Sequence, residues 1–223
     1  MRRIWAPLIF GIVGCAILIG LGVWQIKRLA WKESMLAEMQ SRIDAAPVPL
    51  PAQVDPSMKY DPVWVNGTTS GPEIMVVSGS RETGGGYQVI TAFDTDDGPR
   101  ILLDRGFLPE DHRREKRPPV ALTVVGNLHW PAEKSSTTPD PNLDENIWFA
   151  RDVPAMARAL GTEPIMVVAA EIRGDTQGIT PVPLGVEGIP NNHLEYAVTW
   201  FMLAAVWAGM TVGLIWRIRR KQY

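Results

Sequence analysis

Two long uncharged runs of residues stand near opposite ends of the sequence, at residues 4–26 and 196–216. At a helical rise of about 1.5 Å per residue, each run covers roughly the 30 Å hydrocarbon core of a bilayer. We therefore predict a transmembrane helix in each run. The first run is too long for a secretory signal peptide, and no small-x-small cleavage site follows it, which favours an uncleaved anchor.

Between the two runs, the spacing of apolar positions changes from helical to strand-like. Residues 31–44 repeat apolar side chains at helical intervals, and Pro47, Pro49 and Pro51 then favour a linker. Farther along, short segments rich in β-branched and aromatic residues alternate with turn residues. The predicted strands are one that ends in a turn at Asn66-Gly67 and others at residues 73–78, 87–93, 100–107, 120–130 and 164–172.

Local turn and cap residues complete this prediction. Asp152 and Gly161 are typical of the two ends of a helix, which places a short helix between them. Asp97-Gly98 favours a tight hairpin. Residues 81–87 contain three consecutive glycines, and we interpret them as a hairpin turn because a strand, not a helix, follows. Residues 131–146 are polar and predict a mobile loop.

These elements define the expected fold class. We predict a membrane-anchored α+β protein in which two transmembrane helices at the chain ends flank one extracytoplasmic domain. The domain is mainly antiparallel β, barrel- or sandwich-like, with short helices.

The distribution of charge predicts how the chain is oriented. All 24 Asp and Glu residues lie within residues 27–195, whereas both tails are basic, with four cations after residue 216. By the positive-inside rule, residues 1–3 and 217–223 are cytoplasmic and residues 27–195 are periplasmic. No Ser- and Arg-rich presequence precedes the first run, which favours a multi-pass protein of the bacterial plasma (inner) membrane over an organelle.

Several functional classes lack support in the sequence. Cys15, the single cysteine, lies inside the first run, so thiol redox chemistry and cysteine metal sites in the domain are excluded. No Ser/His/Asp or paired-carboxylate set can be assembled from spacing, and we expect no enzyme activity. The basic cluster at residues 112–117 is interpreted as a solvated loop, with contact to anionic lipid as the alternative, and we expect no nucleic-acid partner. His112 and His129 are interpreted as surface or satisfied core residues.

Small residues recur at intervals of four in both apolar runs. Ala16 and Gly20 share one face of the first, and Ala205, Gly209 and Gly213 share one face of the second. Such spacing lets helix backbones approach closely. Two interpretations stand: the helices pack on each other through these faces, or the faces also dock on a larger membrane partner.

His193 lies just before the second run, near the depth where lipid headgroups meet water. A helix beginning there places Tyr196, Trp200, Leu203 and Trp207 below it along one face. Haem iron accepts an axial imidazole, and a haem with a long apolar tail suits this depth. Alternatively, His193 caps the helix or contacts headgroups while the aromatic residues form an interfacial belt.

Two flanking motifs resemble those of a known family. Gly22-Val23-Trp24-Gln25, followed by Arg28 and Trp31-Lys32, is similar to the signature at the end of the first span in the Surf1 (surfeit locus protein 1, Shy1) family. The segment 193–201, beginning His-Leu-Glu-Tyr, resembles its second signature. Asp104-Arg105-Gly106 resembles its mid-domain Arg-Gly-Trp strand, with Phe107 where the family usually has Trp, so that an indole N–H donor is lost.

This resemblance implies an assembly factor for a haem-copper terminal oxidase (cytochrome c oxidase) that assists haem a insertion into the large catalytic subunit. It implies that His193 is a transient axial ligand of haem a iron, with Tyr196 and Trp200 expected to shape the pocket. The expected partners are the large catalytic subunit, the haem a synthase and membrane lipid. The alternative is a structural membrane chaperone that stabilises the nascent oxidase subunit without binding haem.

Overall fold

The computed structural model describes residues 2–80, 84–187 and 189–220, which form two compact units. One unit contains the residues up to 38 together with those from 186 onward, and the other contains residues 39–185. Met1, the first residues of the predicted hairpin turn (81–83), Gly188 and the end of the basic tail (221–223) lie outside the described residues.

Both predicted terminal helices are present. They are α1, Arg2–Ile43, and α3, His193–Arg220, with a short helix, α2, Val153–Leu160, between them in the sequence. Each terminal helix is long and apolar enough to cross a membrane. The continuation of α1 to Ile43 confirms the helical spacing seen at residues 31–44.

The unit of residues 39–185 is built on a β-sheet. Its strands are β1 (Val48–Pro49), β2 (Pro62–Ser80), β3 (Gly84–Thr95), β4 (Arg100–Pro109), β5 (Ala121–Leu128), β6 (Ile147–Trp148) and β7 (Met166–Arg173). Single 3₁₀ turns lie at Pro56–Met58 and Glu110–His112. The predicted linker around Pro49 therefore contributes a two-residue strand.

Five of these strands close into a barrel, in the order β2, β3, β4, β7, β5 and back to β2. Neighbouring strands are antiparallel except β4 and β7, which run parallel. The two-residue strands β1 and β6 each pair in parallel with β2 beside this ring. The mainly antiparallel, barrel-like domain with short helices is confirmed.

The predicted turn at Asn66-Gly67 is wrong, because β2 passes through it as one long strand. Gly67 pairs with Thr95 of β3 on one side and with Leu122 of β5 on the other. A Cβ at residue 67 would collide with the carbonyl oxygen of Asp94, so the glycine permits close backbone approach. The irregularity in β2 falls later, as a bulge between Ser70 and Glu73. A bulge bends a strand, which helps β2 to join both edges of the ring.

Two apolar clusters bury both faces of the central strands. The cluster inside the barrel draws on all five ring strands, and its members are Val63, Val65, Phe93, Ile101, Leu103, Leu122, Val124, Leu128, Val167 and Ala169. The second cluster lies on the outer face beneath α2 and β6, where Leu102 and Met166 meet Met156 and Trp148. Because successive residues of a strand face opposite sides, runs such as Ile101-Leu102-Leu103 serve both clusters.

Local cap and turn predictions fare differently. The side chain of Asp152 accepts a hydrogen bond from the Ala155 amide, and Gly161 ends α2 in the left-handed conformation, as predicted. Asp97-Gly98 lies between β3 and β4, as expected for a hairpin. Strands β2 and β3 pair antiparallel up to Ser80 and Gly84, as expected of the predicted hairpin, but residues 84–86 belong to β3, and residue 86 also pairs with β4. These glycines are strand residues because the backbone pairing between β2 and β3 continues as far as Ser80 and Gly84.

Candidate functional site

Helices α1 and α3 pack along a seam with coiled-coil spacing. The less exposed residues of α1 recur at alternating intervals of four and three: Ile4, Leu8, Gly11, Cys15, Leu18, Gly22, Gln25, Leu29 and Lys32. Those of α3 include His193, Ala197, Trp200, Ala204, Trp207 and Thr211. This 3.5-residue period keeps one stripe of each helix against the other over many turns. The seam is continuous from the middle of the apolar runs to His193.

The small-residue faces predicted to mediate this packing do not lie in the seam. Gly20, Gly209 and Gly213 have no atom within 4 Å of the position a Cβ would take, and Ala16 and Ala205 are exposed. Other small residues bring the helices together, since a Cβ at Gly11 would collide with Thr211 and one at Gly14 with Trp207. Spacing of small residues alone did not distinguish the seam from the outward faces.

His193 is the first residue of α3, and its imidazole contacts the opposite helix. The ring Nδ1 lies 2.8 Å from Oε1 of Gln25 on α1. An amide oxygen only accepts hydrogen bonds, so Nδ1 carries the proton and donates it. The neutral ring then has an unprotonated Nε2 with a free lone pair. That is the form in which imidazole coordinates a metal.

Gln25 is a candidate functional residue that the sequence analysis does not identify. It belongs to the first motif, and it is 8% exposed near the end of the apolar run of residues 4–26. A buried amide needs a hydrogen-bond partner, because its polar atoms have lost contact with water. A polar residue at the end of an apolar run was the available indication, but the sequence gives no partner 168 residues away.

Two further contacts join the first motif to α3 and to the segment just before it. A Cβ on Gly22 would lie 2.7 Å from the ring of Phe201, so this glycine lets Phe201 pack against α1. The Nζ of Lys32 donates a hydrogen bond to the carbonyl oxygen of Pro190, just before α3. The first motif therefore contacts the second at Gly22 and Gln25, and its Lys32 contacts the residue segment before α3.

The other predicted site residues lie at the edge of this seam. Tyr196 is 55% exposed, one turn below His193, and Trp200 is half-buried one turn farther. Deeper still, the ring of Trp207 lies 5.3 Å from that of Phe10 between centroids. His193 and Trp200 thus face the seam, whereas Tyr196 faces outward.

His193 does not belong to a cluster of metal-binding side chains among the described residues. Within residues 2–80, 84–187 and 189–220, no group of three or more His, Cys, Asp or Glu side chains is arranged to hold a metal ion. Cys15 is free and lies deeper along the seam, where its Sγ is 3.7 Å from the Ala204 carbonyl oxygen. The arrangement offers one imidazole nitrogen at the end of a helix pair.

The mid-domain motif supplies buried charges to the barrel. Asp104 is fully buried and accepts hydrogen bonds from Gln88 Nε2 at 2.8 Å, Arg151 Nη1 at 3.0 Å and the Gly106 amide at 3.2 Å. Burial raises the pKa of Asp104, while the Arg151 guanidinium and these donors oppose the rise. Arg151 also binds Glu133, and these contacts outweigh burial to lower the pKa of Glu133.

Arg105 is buried on the opposite side of β4 from Asp104. Its side chain is 1% exposed and reaches Glu73 at 3.4 Å, the Thr176 carbonyl at 3.0 Å and Gln177 at 3.0 Å. Glu73 is shared with Arg117, whose Nε lies 2.7 Å away. Burial lowers the pKa of Arg105, and the Glu73 carboxylate opposes this. Both motif charges hold the domain together.

The other two histidines occupy different surroundings. His112 is exposed and its Nδ1 lies 2.8 Å from Glu115, as expected of a surface residue. His129 is buried, and its Nδ1 has no hydrogen-bond partner among the described residues, so it is not a satisfied core residue. Burial, with the charges of Arg151 and Lys59, lowers the pKa of His129 to about 4. Phe107 is a buried aromatic whose backbone pairs with Thr180.

Comparison with known proteins shows the family to which this chain belongs. Residues 12–205 match the model of the SURF1 family. The chain is 35% identical to Surfeit locus protein 1 of Homo sapiens, over 83% of this chain and 70% of the human protein. It is 33% identical to that of Rattus norvegicus (83% and 68%) and 30% identical to that of Takifugu rubripes (83% and 87%). With the family match covering most of the sequence and both motifs, the chain belongs to the SURF1 family.

Proposed function

We propose that this protein is an assembly factor for a haem-copper terminal oxidase (cytochrome c oxidase), which binds haem a transiently and assists its insertion into the large catalytic subunit. In this proposal haem a is cargo and His193 is its protein ligand. The haem a synthase supplies the cargo, and the nascent oxidase subunit receives it. The protein itself makes and breaks no covalent bond.

The observation that carries the proposal is the state of the His193 ring. Its Nδ1 is engaged by Gln25 Oε1 at 2.8 Å, which in the neutral ring places the lone pair on Nε2. Metal-bound histidines generally donate their other ring N–H to a neighbouring acceptor, which fixes the ring and its tautomer. The pair therefore has the chemistry of an axial ligand with its supporting residue.

The surroundings of His193 suit a haem with an apolar tail. Exposed apolar side chains continue from Tyr196 along α3 to Leu203 and Met210, so cargo held at Nε2 meets an apolar surface on the membrane side. Lys27 and Arg28 lie within one turn of Gln25 on α1 and are exposed. Their charges complement the carboxylates that every haem carries.

A single protein ligand agrees with transient binding. A carrier must release its cargo, and a site with two strong ligands would hold iron more tightly than transfer requires. Release then needs only the exchange of His193 for a ligand of the receiving subunit.

The structural chaperone remains the second candidate, because the same hydrogen bond also ties α3 to α1. In that case His193 and Gln25 join two helices that brace the oxidase subunit, and no haem is carried. The two candidates differ in what the purified protein contains.

The test is to co-express the protein with the haem a biosynthetic enzymes, purify it in detergent and record reduced-minus-oxidised spectra. We expect a haem a band in wild type that disappears in His193→Ala. His112→Ala, which removes an exposed imidazole bound to Glu115, is the control and should keep the band. Wild type without haem a, or His193→Ala with an unchanged band, would overturn haem carriage and favour the structural chaperone.

A further inference from the structure

We infer that Gln25 is a positioning residue for haem binding: its amide oxygen holds the proton of His193 on Nδ1 and thereby presents Nε2 to iron. This inference rests on the proposed function for its cargo. Its geometric basis is independent of haem and lies in the contact between the two helices.

The burial of Gln25 is the first step. It is 8% exposed at the His193 end of the apolar run, on the stripe that faces α3. A buried amide at a membrane edge is costly unless it is hydrogen-bonded. The structure gives it one specific partner, the Nδ1 of His193. An apolar residue would fill this place in the seam at lower cost if helix packing were its whole purpose.

The direction of the hydrogen bond is the second step. Oε1 of Gln25 is the acceptor, so it stabilises only those forms of His193 that carry a proton on Nδ1. For a neutral ring, this selects the tautomer whose lone pair is on Nε2. Without the acceptor, the ring divides between tautomers, and one of these has its lone pair on Nδ1, turned towards α1.

The rigidity of the surroundings is the third step. Phe201 packs at Gly22 on one side of the pair, and Lys32 donates to the Pro190 carbonyl on the other. These contacts hold the backbone at residues 25 and 193 in register. The hydrogen bond then fixes the remaining freedom, which is rotation of the imidazole about its own side-chain bonds.

An acceptor at Nδ1 also makes Nε2 more basic, which strengthens its bond to ferric iron and lowers the reduction potential of bound haem. Gln25→Leu removes the acceptor, so we expect about 10- to 100-fold weaker haem a binding and a higher potential. Gln25→Glu restores an acceptor of greater strength. We expect it to recover binding and to shift the potential below that of wild type.

The experiment combines a measurement without haem and one with it, on the full-length protein in detergent. Nitrogen-15 NMR of the haem-free protein, with His193 assigned by His193→Ala, is expected to report protonated Nδ1 in wild type and Gln25→Glu, and a mixture of tautomers in Gln25→Leu. Titration with haem a and spectroelectrochemistry then give affinity and potential. Thr199→Val is the control, since its hydroxyl donates to the Glu195 carbonyl of its own helix turn.

Each result decides a separate point. If Gln25→Leu keeps a single Nδ1-protonated His193, or binds haem a with the wild-type affinity and potential, Gln25 is not a positioning residue. Loss of function in Gln25→Leu without recovery in Gln25→Glu also overturns the inference, because it indicates a packing defect. If wild type binds no haem a, the proposed function fails, and the tautomer measurement still decides what Gln25 does to the ring.

Discussion

At the scale of a single residue, the buried side chain of His129 has a lowered pKa that makes the stability of the protein depend on pH. Burial, Arg151 and Lys59 lower its pKa from 6.5 to about 4, and Glu133 opposes them. An unfolded chain takes up this proton near pH 6.5, whereas the folded protein does so only near pH 4. The unfolded state binds more protons between these values, so the free energy of unfolding falls as pH is lowered through this window.

We expect this residue to contribute about 3 kcal/mol of acid destabilisation, at about 1.4 kcal/mol per pKa unit. The thermal midpoint of the full-length protein in detergent should fall between pH 7 and pH 4 in wild type, and should fall less in His129→Gln. The exposed His112→Gln variant should follow wild type. If the thermal midpoint of His129→Gln falls as much as that of wild type between pH 7 and pH 4, groups other than His129 cause the acid sensitivity.

The buried carboxylate of Asp104 gives a second prediction at this scale. Arg151→Met leaves the buried Asp104 without its cation, and we expect a loss of about 3–5 kcal/mol in the free energy of unfolding at neutral pH. Burial already raises the pKa of Asp104 above 3.8, and losing Arg151 raises it further. The folded variant then binds the proton more tightly than the unfolded chain, so its stability should partly recover as pH falls.

The matched control separates this burial effect from the loss of an arginine contact. Glu133→Gln breaks the other ion pair of Arg151, but the Glu133 side chain is 38% exposed, so a loss of no more than about 1 kcal/mol is expected. Urea or thermal denaturation of the full-length variants measures both. Equal losses in Arg151→Met and Glu133→Gln would show that Asp104 does not depend on its cation.

At the scale of elements, two glycines of α1 provide a test of the seam. Gly22 faces the ring of Phe201 and Gly20 faces open space. We expect Gly22→Leu to separate the helices near His193, lowering the thermal midpoint and weakening haem a binding. Gly20→Leu adds the same side chain to the outward face and should change neither. If Gly20→Leu also lowers the thermal midpoint and weakens haem a binding, the outward face, with Gly209 and Gly213, is also an interface. If Gly22→Leu changes neither, the seam is not the packing interface.

Elements whose determinants are local could be predicted from sequence. Helix α2 is an example, because Asp152 and Gly161 cap it through contacts within a few residues. Strand β2 is the opposite case. Asn66-Gly67 has the composition of a turn, and only pairing with β3 and β5 keeps Gly67 extended. No sequence pattern near Gly67 indicates that β3 and β5 pair with it.

The same division applies to the candidate site. The position of His193 at the start of α3 followed from the length and composition of the apolar run. The role of Gln25 did not, because a glutamine at the end of such a run has the same appearance whether it faces headgroups or another helix. Its partner is 168 residues distant. The orientation of a helix about its own axis is set by the second helix, which is a tertiary property.

At the scale of the whole molecule, the distribution of charge along the chain predicts the side of the membrane on which each segment lies. An acidic segment of residues 27–195 stands between two basic tails. In a chain with two membrane-crossing helices, both tails must lie on the same side. Lysine and arginine next to a span favour the cytoplasmic side, and the four cations after residue 216 make that preference strong. This arrangement would put His193 at the periplasmic edge of the bilayer.

Cysteine labelling in intact cells tests this topology, because Cys15 lies among apolar residues of α1 and is poorly placed to react with a charged reagent. We expect a membrane-impermeant maleimide to label Ser136→Cys, at an exposed position in the 131–146 loop, from the periplasmic side. A cysteine appended after residue 223 should be labelled only once the cells are opened.

Replacing Arg217, Arg219, Arg220 and Lys221 by glutamine should weaken the preference of the C-terminal tail for the cytoplasmic side and expose the appended cysteine in a fraction of molecules. Labelling of the appended cysteine in intact cells with the wild-type tail would place the domain in the cytoplasm. His193 would then be at the cytoplasmic edge of the membrane.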